Sequence, residues 1–529
     1  MAREPGSGVA APASVGAAAR HTPPEGWRQA LEAELAPLLA RTRAPGVALT
    51  LFDLDRVLLE AGYGHRDVQR GLPVDADTIF GVASITKTFT AFSLQLLAED
   101  GLLSLDDAVT RYLPFTLWPE GSAPTLRHFL EHTSGLAPTP TMTWLRLASQ
   151  LEDPVTGEAD REEALSTLPA SLDEAAGLAE VERLSRGVSS FEGLVAWLNR
   201  NAVILAQPGE QFSYSNDGFS LMGGVVERVS GLPFEEFVRR RILEPLGMRR
   251  STFSLEEVLA DGNHSTLYAP GPDGAVLPSP AWQTTGRMLG GGMLKSTLSD
   301  LRAWVRFLMA SAGPAEGPGS AQASAQAGSA TPLLAPERVR EMARGRVPAG
   351  PGSSYGLGLR IEDADGLTLI GHGGSLKGVS SYLAWVPELG VGVVVLSNLV
   401  GLPSLKMALM AINAYAGRPV TQELHRPAEF AGSAQEAASL IQDLLGSYAS
   451  GEPYGRLRLH LDEAGELRAA VGRPAQVVPA FLVGADEVAL RFEEYLAPVT
   501  FLRRKEGPER GAVWAAHHGS RVLLRQEEE

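Results

Sequence analysis

Apolar residues recur at helical spacing in "WRQALEAELAPLLART", where Leu31, Leu35, Leu38 and Leu39 fall on one stripe. That period predicts an amphipathic helix. The next stretch, "GVALTLFDLDRVLLEAGYG", changes period: two β-rich runs flank Asp53–Arg56, the pattern of a hairpin. Asp53 and Asp55 read as turn residues rather than metal ligands. From Ser84 to about residue 345 the helical period dominates, in "GVASITKTFTAFSLQLLAEDG", "TLRHFLEH", "FEGLVAWLNRNAVIL", "DGFSLMGGVVERVSG", "PFEEFVRRRILEPLG" and "LSDLRAWVRFLMASAG". Strand patterns return at "SSYGLGLRIED", "LTLIGHGG", "VSSYLAWVPE" and "VGVVVLSN", and a helix over "SLKMALMAINAYAG" follows.

The early hairpin and the late strands belong to one antiparallel sheet in this reading, with the helices as a long excursion from it. That is an α+β domain over residues 25–416. Residues 417–437 carry Pro, Glu and Gly and read as a linker. Over 438–529, short alternating strands broken by Gly or Asp turns predict a small antiparallel barrel, with no evident catalytic cluster of its own. Residues 1–24 read as a disordered tail and 312–332 as a low-complexity loop, since neither has enough to bury. The charged segment 139–190 reads as a helical lid or wall, and together with the barrel it is expected to shape a cleft.

Composition narrows the function. The 529 residues carry a net charge of −16, which disfavours nucleic acid and anionic membranes as partners. No apolar run reaches the ~18 residues that a spanning helix needs. The start lacks the Leu/Phe-rich core of a secretory signal, so a cytoplasmic location is expected, with an Ala-rich export signal as the alternative. The absence of cysteine removes disulfides, thiol nucleophiles and thiolate metal sites together. No His and carboxylate spacing suits a metal, and no cofactor is expected.

Five lysines stand against 41 arginines, so a lysine one helical turn from a serine is informative. Ser84 and Lys87 form such a pair at the start of a helix. A serine hydroxyl needs a base or a strong hydrogen-bonding partner to act as a nucleophile. Lysine can give up its proton when desolvated, at about 4–5 kcal/mol near neutral pH, whereas arginine cannot. Burial and the positive helix N-terminus push in that direction. Tyr214, in "QFSYSND", offers a phenol for proton transfer, and Asn216 offers both a donor and an acceptor. His372-Gly373-Gly374-Ser375 lies on a strand whose glycines admit a close backbone or ligand, so that its edge can offer an N–H to an oxyanion. Read singly, these are a helix start, a capped loop and a strand-end turn. "LEHTSGL" and "GRMLGGGMLKSTLSDL" read as turns and helix caps, with Ser134, Gly135 and Ser299 at element ends.

Taken in order, Ser-x-x-Lys, Tyr-x-Asn and His-x-Gly, with "HTSGL", "PGEQFSYSN", "ILEPLGM" and "GGGMLKSTLSDL" between them, resemble the serine β-lactamase and penicillin-binding-protein-like superfamily. The likeness is to its class C β-lactamase-related hydrolases, and it runs in register over about residues 30–415. The C-terminal strands are similar to the lipocalin-like appendage of some members. The resemblance implies that Ser84 forms an acyl-enzyme, that Lys87 and Tyr214 share the proton work, and that Asn216 orients Lys87 and the substrate amide. It also implies an oxyanion hole from the backbone N–H groups of Ser84 and Ser375, beside His372 and Gly374. One departure stands out. Where β-lactamases carry Lys-Thr-Gly, this chain has His372-Gly373-Gly374, which suits the esterases and D-aminopeptidases better than penicillin hydrolysis. The expected substrate is therefore a small ester, amide or D-amino-acid peptide. β-Lactamase or D-Ala-D-Ala carboxypeptidase activity is the alternative, and a catalytically silent binding homologue is the reading from another class.

Overall fold

A computed structural model describes residues 21–149, 165, 167–168, 173–270, 275–279, 281–313, 333–424, 430–451, 455–472, 475–492 and 496–526. The tail up to residue 20, most of the central part of the 139–190 segment, and residues 314–332 of the low-complexity stretch lie outside the described residues.

The expected early hairpin is β1 (Gly46–Phe52) and β2 (Val57–Asp67), followed by the short β3 (Leu72–Pro73). The late strands are β4 (Val347–Gly350), β5 (Ser353–Tyr355), β6 (Arg360–Asp363), β7 (Thr368–Leu376), β8 (Val379–Val386) and β9 (Val391–Ser397). They make one antiparallel nine-stranded sheet in the order β3-β2-β1-β9-β8-β7-β6-β5-β4. The chain leaves the sheet after β3 and returns at β4, so the helical excursion is inserted between two halves of one sheet.

Five helices frame the site: α1 (Trp27–Thr42), α2 (Thr86–Glu99), α3 (Asn216–Ser230), α4 (Leu298–Ala312) and α5 (Ser404–Ala416). Leu31, Leu35 and Leu38 of α1 and Met407 and Met410 of α5 pack with Val47, Leu49 and Leu51 of β1 and with Val393 and Val395 of β9. Ala48, Phe52, Val394 and Leu396, which point to the opposite face, pack with Phe89 and Phe92 of α2 and Trp304 of α4. Because both faces are covered, β1 and β9 are buried throughout, and apolar but for Thr50 and Ser397, instead of alternating. Helix α2 is buried from Thr86 to Leu97. Its Phe89 ring stacks on Trp304 at 4.4 Å, and the Trp304 indole donates to Thr88 Oγ1 at 3.1 Å. The helix that begins at the candidate nucleophile is thus the central beam of the domain.

Strands β10 (Gly446–Ala449), β11 (Arg456–Leu461), β12 (Leu467–Val471), β13 (Gln476–Gly484), β14 (Glu487–Arg491), β15 (Leu496–Arg503), β16 (Val513–His518) and β17 (Arg521–Arg525) close into an antiparallel barrel. Its core includes Tyr448, Leu457, Val488, Phe501 and Leu523. A helix, Ala434–Leu444, begins inside the stretch read as a linker and packs its Leu444 into that core. Among the described residues no helix is long and apolar enough to cross a membrane.

Candidate active site

Ser84 lies in a single 3₁₀ turn, Ala83–Ile85, that leads directly into α2. Ala83 holds φ at +46°, a left-handed conformation that costs a residue with a Cβ of order 1–3 kcal/mol. The turn is pinned on several sides. The Val82 carbonyl accepts from Ser381 Oγ at 2.8 Å, the Ala83 carbonyl accepts from Thr86 Oγ1 at 2.7 Å, and the Val82 N–H donates to the Leu294 carbonyl at 3.1 Å. Strand β7 reaches the same turn through Gly374. A Cβ there would lie 2.4 Å from the Val82 carbonyl oxygen and 3.0 Å from Ala83 Cβ, so glycine is what allows the approach. Ser375 follows at the exposed end of β7, paired opposite Ser380.

Lys87, one turn on, is fully buried. Its Nζ lies 3.0 Å from Ser84 Oγ and 2.9 Å from Asn216 Oδ1, and it also donates to the Gly291 carbonyl. Two of these partners are carbonyl oxygens that only accept. A neutral amine fills both with its two N–H bonds, and its lone pair is then left for the serine hydroxyl. The Gly290–Gly292 run makes this possible. A Cβ on Gly290 would meet the Phe219 carbonyl at 2.6 Å, and one on Gly291 would meet the Asn216 carbonyl at 3.1 Å. Within "GRMLGGGMLKSTLSDL", read as turns and caps, the glycines therefore supply a lysine-binding carbonyl. The cap of α4 in that stretch is Thr297, whose side chain accepts from the Asp300 N–H, while Ser299 lies inside the helix.

Asn216 opens α3, and Ser215 caps it by accepting from the Gly218 N–H at 3.0 Å, which leaves the Asn216 side chain for Lys87. Asp217, next along α3, is buried and accepts from the hydroxyls of Thr139 and Thr141. The extended segment before α3 brings the Tyr214 ring to 4.8 Å from Lys87 Nζ. Alternate N–H groups of this segment point opposite ways. Those of Ser213 and Ser215 donate to the carbonyl and to Nδ1 of His132, at 2.8 and 3.0 Å. His132 sits at φ +58°, with its ring 4.2 Å from that of Tyr214. Because Nδ1 accepts, the imidazole is neutral with its proton on Nε2. Burial and the nearby Lys87 charge hold its pKa well below the ordinary range.

His372 lies within β7, buried rather than at an exposed turn, with its ring 6.2 Å from that of Tyr214. Nδ1 donates to the Gly373 carbonyl at 2.6 Å, and Nε2 accepts from the Tyr355 hydroxyl at 2.9 Å. Burial, with Lys87 close by, pushes its pKa down to about 3. The imidazole is therefore uncharged at neutral pH. Tyr355 is fully buried, and burial beside Tyr214 raises its own pKa well above the usual phenol value, so it stays a hydroxyl donor.

Residues 31–416 match the family described as Beta-lactamase. The chain belongs to the beta-lactamase family. Among curated relatives it is similar to a D-aminopeptidase of Gluconobacter oxydans, 27% identical over 70% of this chain and 58% of the relative. It is also similar to Protein flp of Staphylococcus aureus strain MW2, 25% identical over 68% of this chain and 61% of the relative. The chain thus spans about three fifths of the length of these curated relatives. Among solved structures, an octameric penicillin-binding protein homologue from Pyrococcus abyssi aligns over 94% of this chain and 100% of its own, with a TM-score of 0.61 and 26% identity. The family is one of serine hydrolases, and the matched span coincides with the residues over which the sequence resembles it.

Within the beta-lactamase family frame, the sequence reading missed four contributors: Tyr355, His132, the Gly291 carbonyl and the tip of the barrel's last hairpin. The tip was missed because a backbone contact leaves no mark on residue type. The Tyr214 N–H donates to the Ser520 carbonyl at 2.9 Å, and the Arg521 guanidinium lies 5.0 Å from the Tyr214 ring. The barrel, read as lacking a catalytic cluster, therefore reaches the candidate site. Among the described residues no group of three His, Cys, Asp or Glu side chains is placed to hold a metal ion.

Proposed function

We propose that the protein is a serine hydrolase that turns over through an acyl-enzyme on Ser84. The observation that carries this reading is the Lys87 amine, seated 3.0 Å from Ser84 Oγ with two carbonyls to take its own N–H bonds. In the neutral form it takes the serine proton as Oγ attacks the substrate carbonyl. The backbone N–H groups of Ser84 and Ser375 receive the oxyanion, at about 3–4 kcal/mol per donor. Tyr214 and Lys87 pass the proton to the leaving group, and the same pair activates water for deacylation. Asn216 holds Lys87 and presents its amide to the substrate.

Small esters, amides and D-amino-acid peptides are the proposed substrates, in line with the D-aminopeptidase among the relatives. The uncharged His372 supports this choice over penicillins, because it supplies no cation for a substrate carboxylate at the position of the family's Lys-Thr-Gly lysine. A fluorophosphonate probe, followed by peptide mass mapping, should place its adduct on Ser84. A folded protein that stays unlabelled would instead be the catalytically silent binding homologue. A panel of p-nitrophenyl esters, D-amino-acid amides, a D-Ala-D-Ala peptide and nitrocefin then separates the substrate classes. Preference for nitrocefin or for the D-Ala-D-Ala peptide would reverse the substrate proposal.

A further inference from the structure

The barrel hairpin does more than cover the domain. Its turn, Gly519–Ser520, has φ values of +56° and +70°, the left-handed pair of a tight two-residue loop. The turn is docked at three points. Arg360 of β6 donates to Ser520 Oγ at 2.6 Å, the Ser520 carbonyl accepts from the Tyr214 N–H at 2.9 Å, and the His517 ring meets Phe212 edge-on at 5.7 Å. The segment carrying Tyr214 is therefore held from both sides, by His132 on one and by the barrel on the other. Arg521, next to the turn, places its guanidinium 5.0 Å from the Tyr214 ring, while Lys87 Nζ stands 4.8 Å from the same ring. The Arg521 guanidinium and the Lys87 amine, far apart in the sequence, thus converge on one phenol.

We infer that Arg521 is a positioning residue for Tyr214: the barrel hairpin fixes the phenol against Lys87, and docking of the barrel sets the rate of the chemical steps. The inference rests on the proposed proton-transfer role of Tyr214. A guanidinium over an aromatic face in a partly desolvated site restrains the ring electrostatically, and it favours whatever negative charge develops on the phenol oxygen. Lysine at the same position would keep the charge over the ring.

The test is a double-mutant cycle in the full-length chain, read on a p-nitrophenyl ester that the wild type turns over. Arg521→Ala is expected to lower kcat about ten-fold with KM within about two-fold, and Arg521→Lys to recover most of that loss. In a Tyr214→Phe background, Arg521→Ala should then add less than about two-fold, because its route to the chemistry is gone. If Tyr214→Phe lowers kcat while Arg521→Ala leaves it unchanged, raises only KM, or costs the same factor in both backgrounds, the inference is overturned and the Tyr214 role stands. If Tyr214→Phe itself keeps the wild-type kcat, the Tyr214 role falls and takes the inference with it. Thermal melts of each variant separate these outcomes from loss of fold.

Discussion

Asn216 Oδ1 lies 2.9 Å from Lys87 Nζ, so a side chain at the start of α3 fixes the direction of an amine that belongs to α2. The two helices are far apart in sequence, and the amine is buried where they meet. Serine, lysine and asparagine therefore behave as one unit, and perturbing any of them moves the others.

Ser84→Ala and Lys87→Ala should each remove nearly all esterase activity, by roughly 10³-fold or more, and the double variant should be no worse than either single one. Lys87→Arg should not recover activity, since a guanidinium keeps its proton at accessible pH. Turnover of p-nitrophenyl acetate checks this. Substantial rate left in Lys87→Ala would mean that another group activates Ser84.

Gly374→Ala should be costly out of proportion to one methyl group. Its Cβ would fall 2.4 Å from both the Val82 carbonyl oxygen and Ser381 Oγ. Strand β7 must then retreat from the Ser84 turn, at about 1–3 kcal/mol of stability. The N–H groups of Ser84 and Ser375, proposed to receive the oxyanion, should separate as well, so kcat should fall further than the melting temperature suggests. Alanine at the neighbouring Gly373, where the nearest contact is 3.4 Å, should be milder.

His132 offers a test of how the Tyr214 segment is held. Replacing it with Leu leaves the Ser215 N–H without its acceptor, at about 1–3 kcal/mol. His132→Asn keeps an acceptor near Nδ1 and should retain more of both melting temperature and kcat. Equal losses in the two variants would show that ring packing, and not the hydrogen bond, is what matters.

The buried histidines give a signed pH dependence. His372 titrates at about 3 and His517 at about 4, against 6.5 for a free imidazole. In the window between those values and 6.5, the unfolded chain binds protons that the folded chain does not. Stability should therefore fall as pH falls from about 6.5 towards about 3. Denaturant midpoints measured across that range should give a shallower slope for His372→Gln than for the wild type. The activity profile between pH 5 and 8 should carry no limb from His372.

Much of this site could be read from the sequence because its side chains sit in short, chemically distinctive motifs. Ser84 and Lys87 are one helical turn apart, Tyr214 and Asn216 share three residues, and His372 and Gly374 share one strand. The sheet was legible for a similar reason, since a hairpin and four strand runs each carry their own pattern. What stayed hidden was made of backbone and tertiary placement. The Gly291 carbonyl has no residue-type signature, although the triple glycine marks a close approach. Tyr355 in "SSYGLGL" reads as one more strand aromatic until β5 and β7 bring it to His372. Ser520 and Arg521 sit in an ordinary hairpin turn, and only the docking of a separate barrel shows where that turn goes.

The hairpin's place in the chain also orders events in time. Translation makes Tyr214 and the whole nine-stranded sheet well before Ser520, the carbonyl that receives the Tyr214 N–H. A nascent chain can therefore complete its sheet on the ribosome and still lack one side of the clamp on its tyrosine. Ser84 is made early, and the surroundings of Tyr214 are finished late.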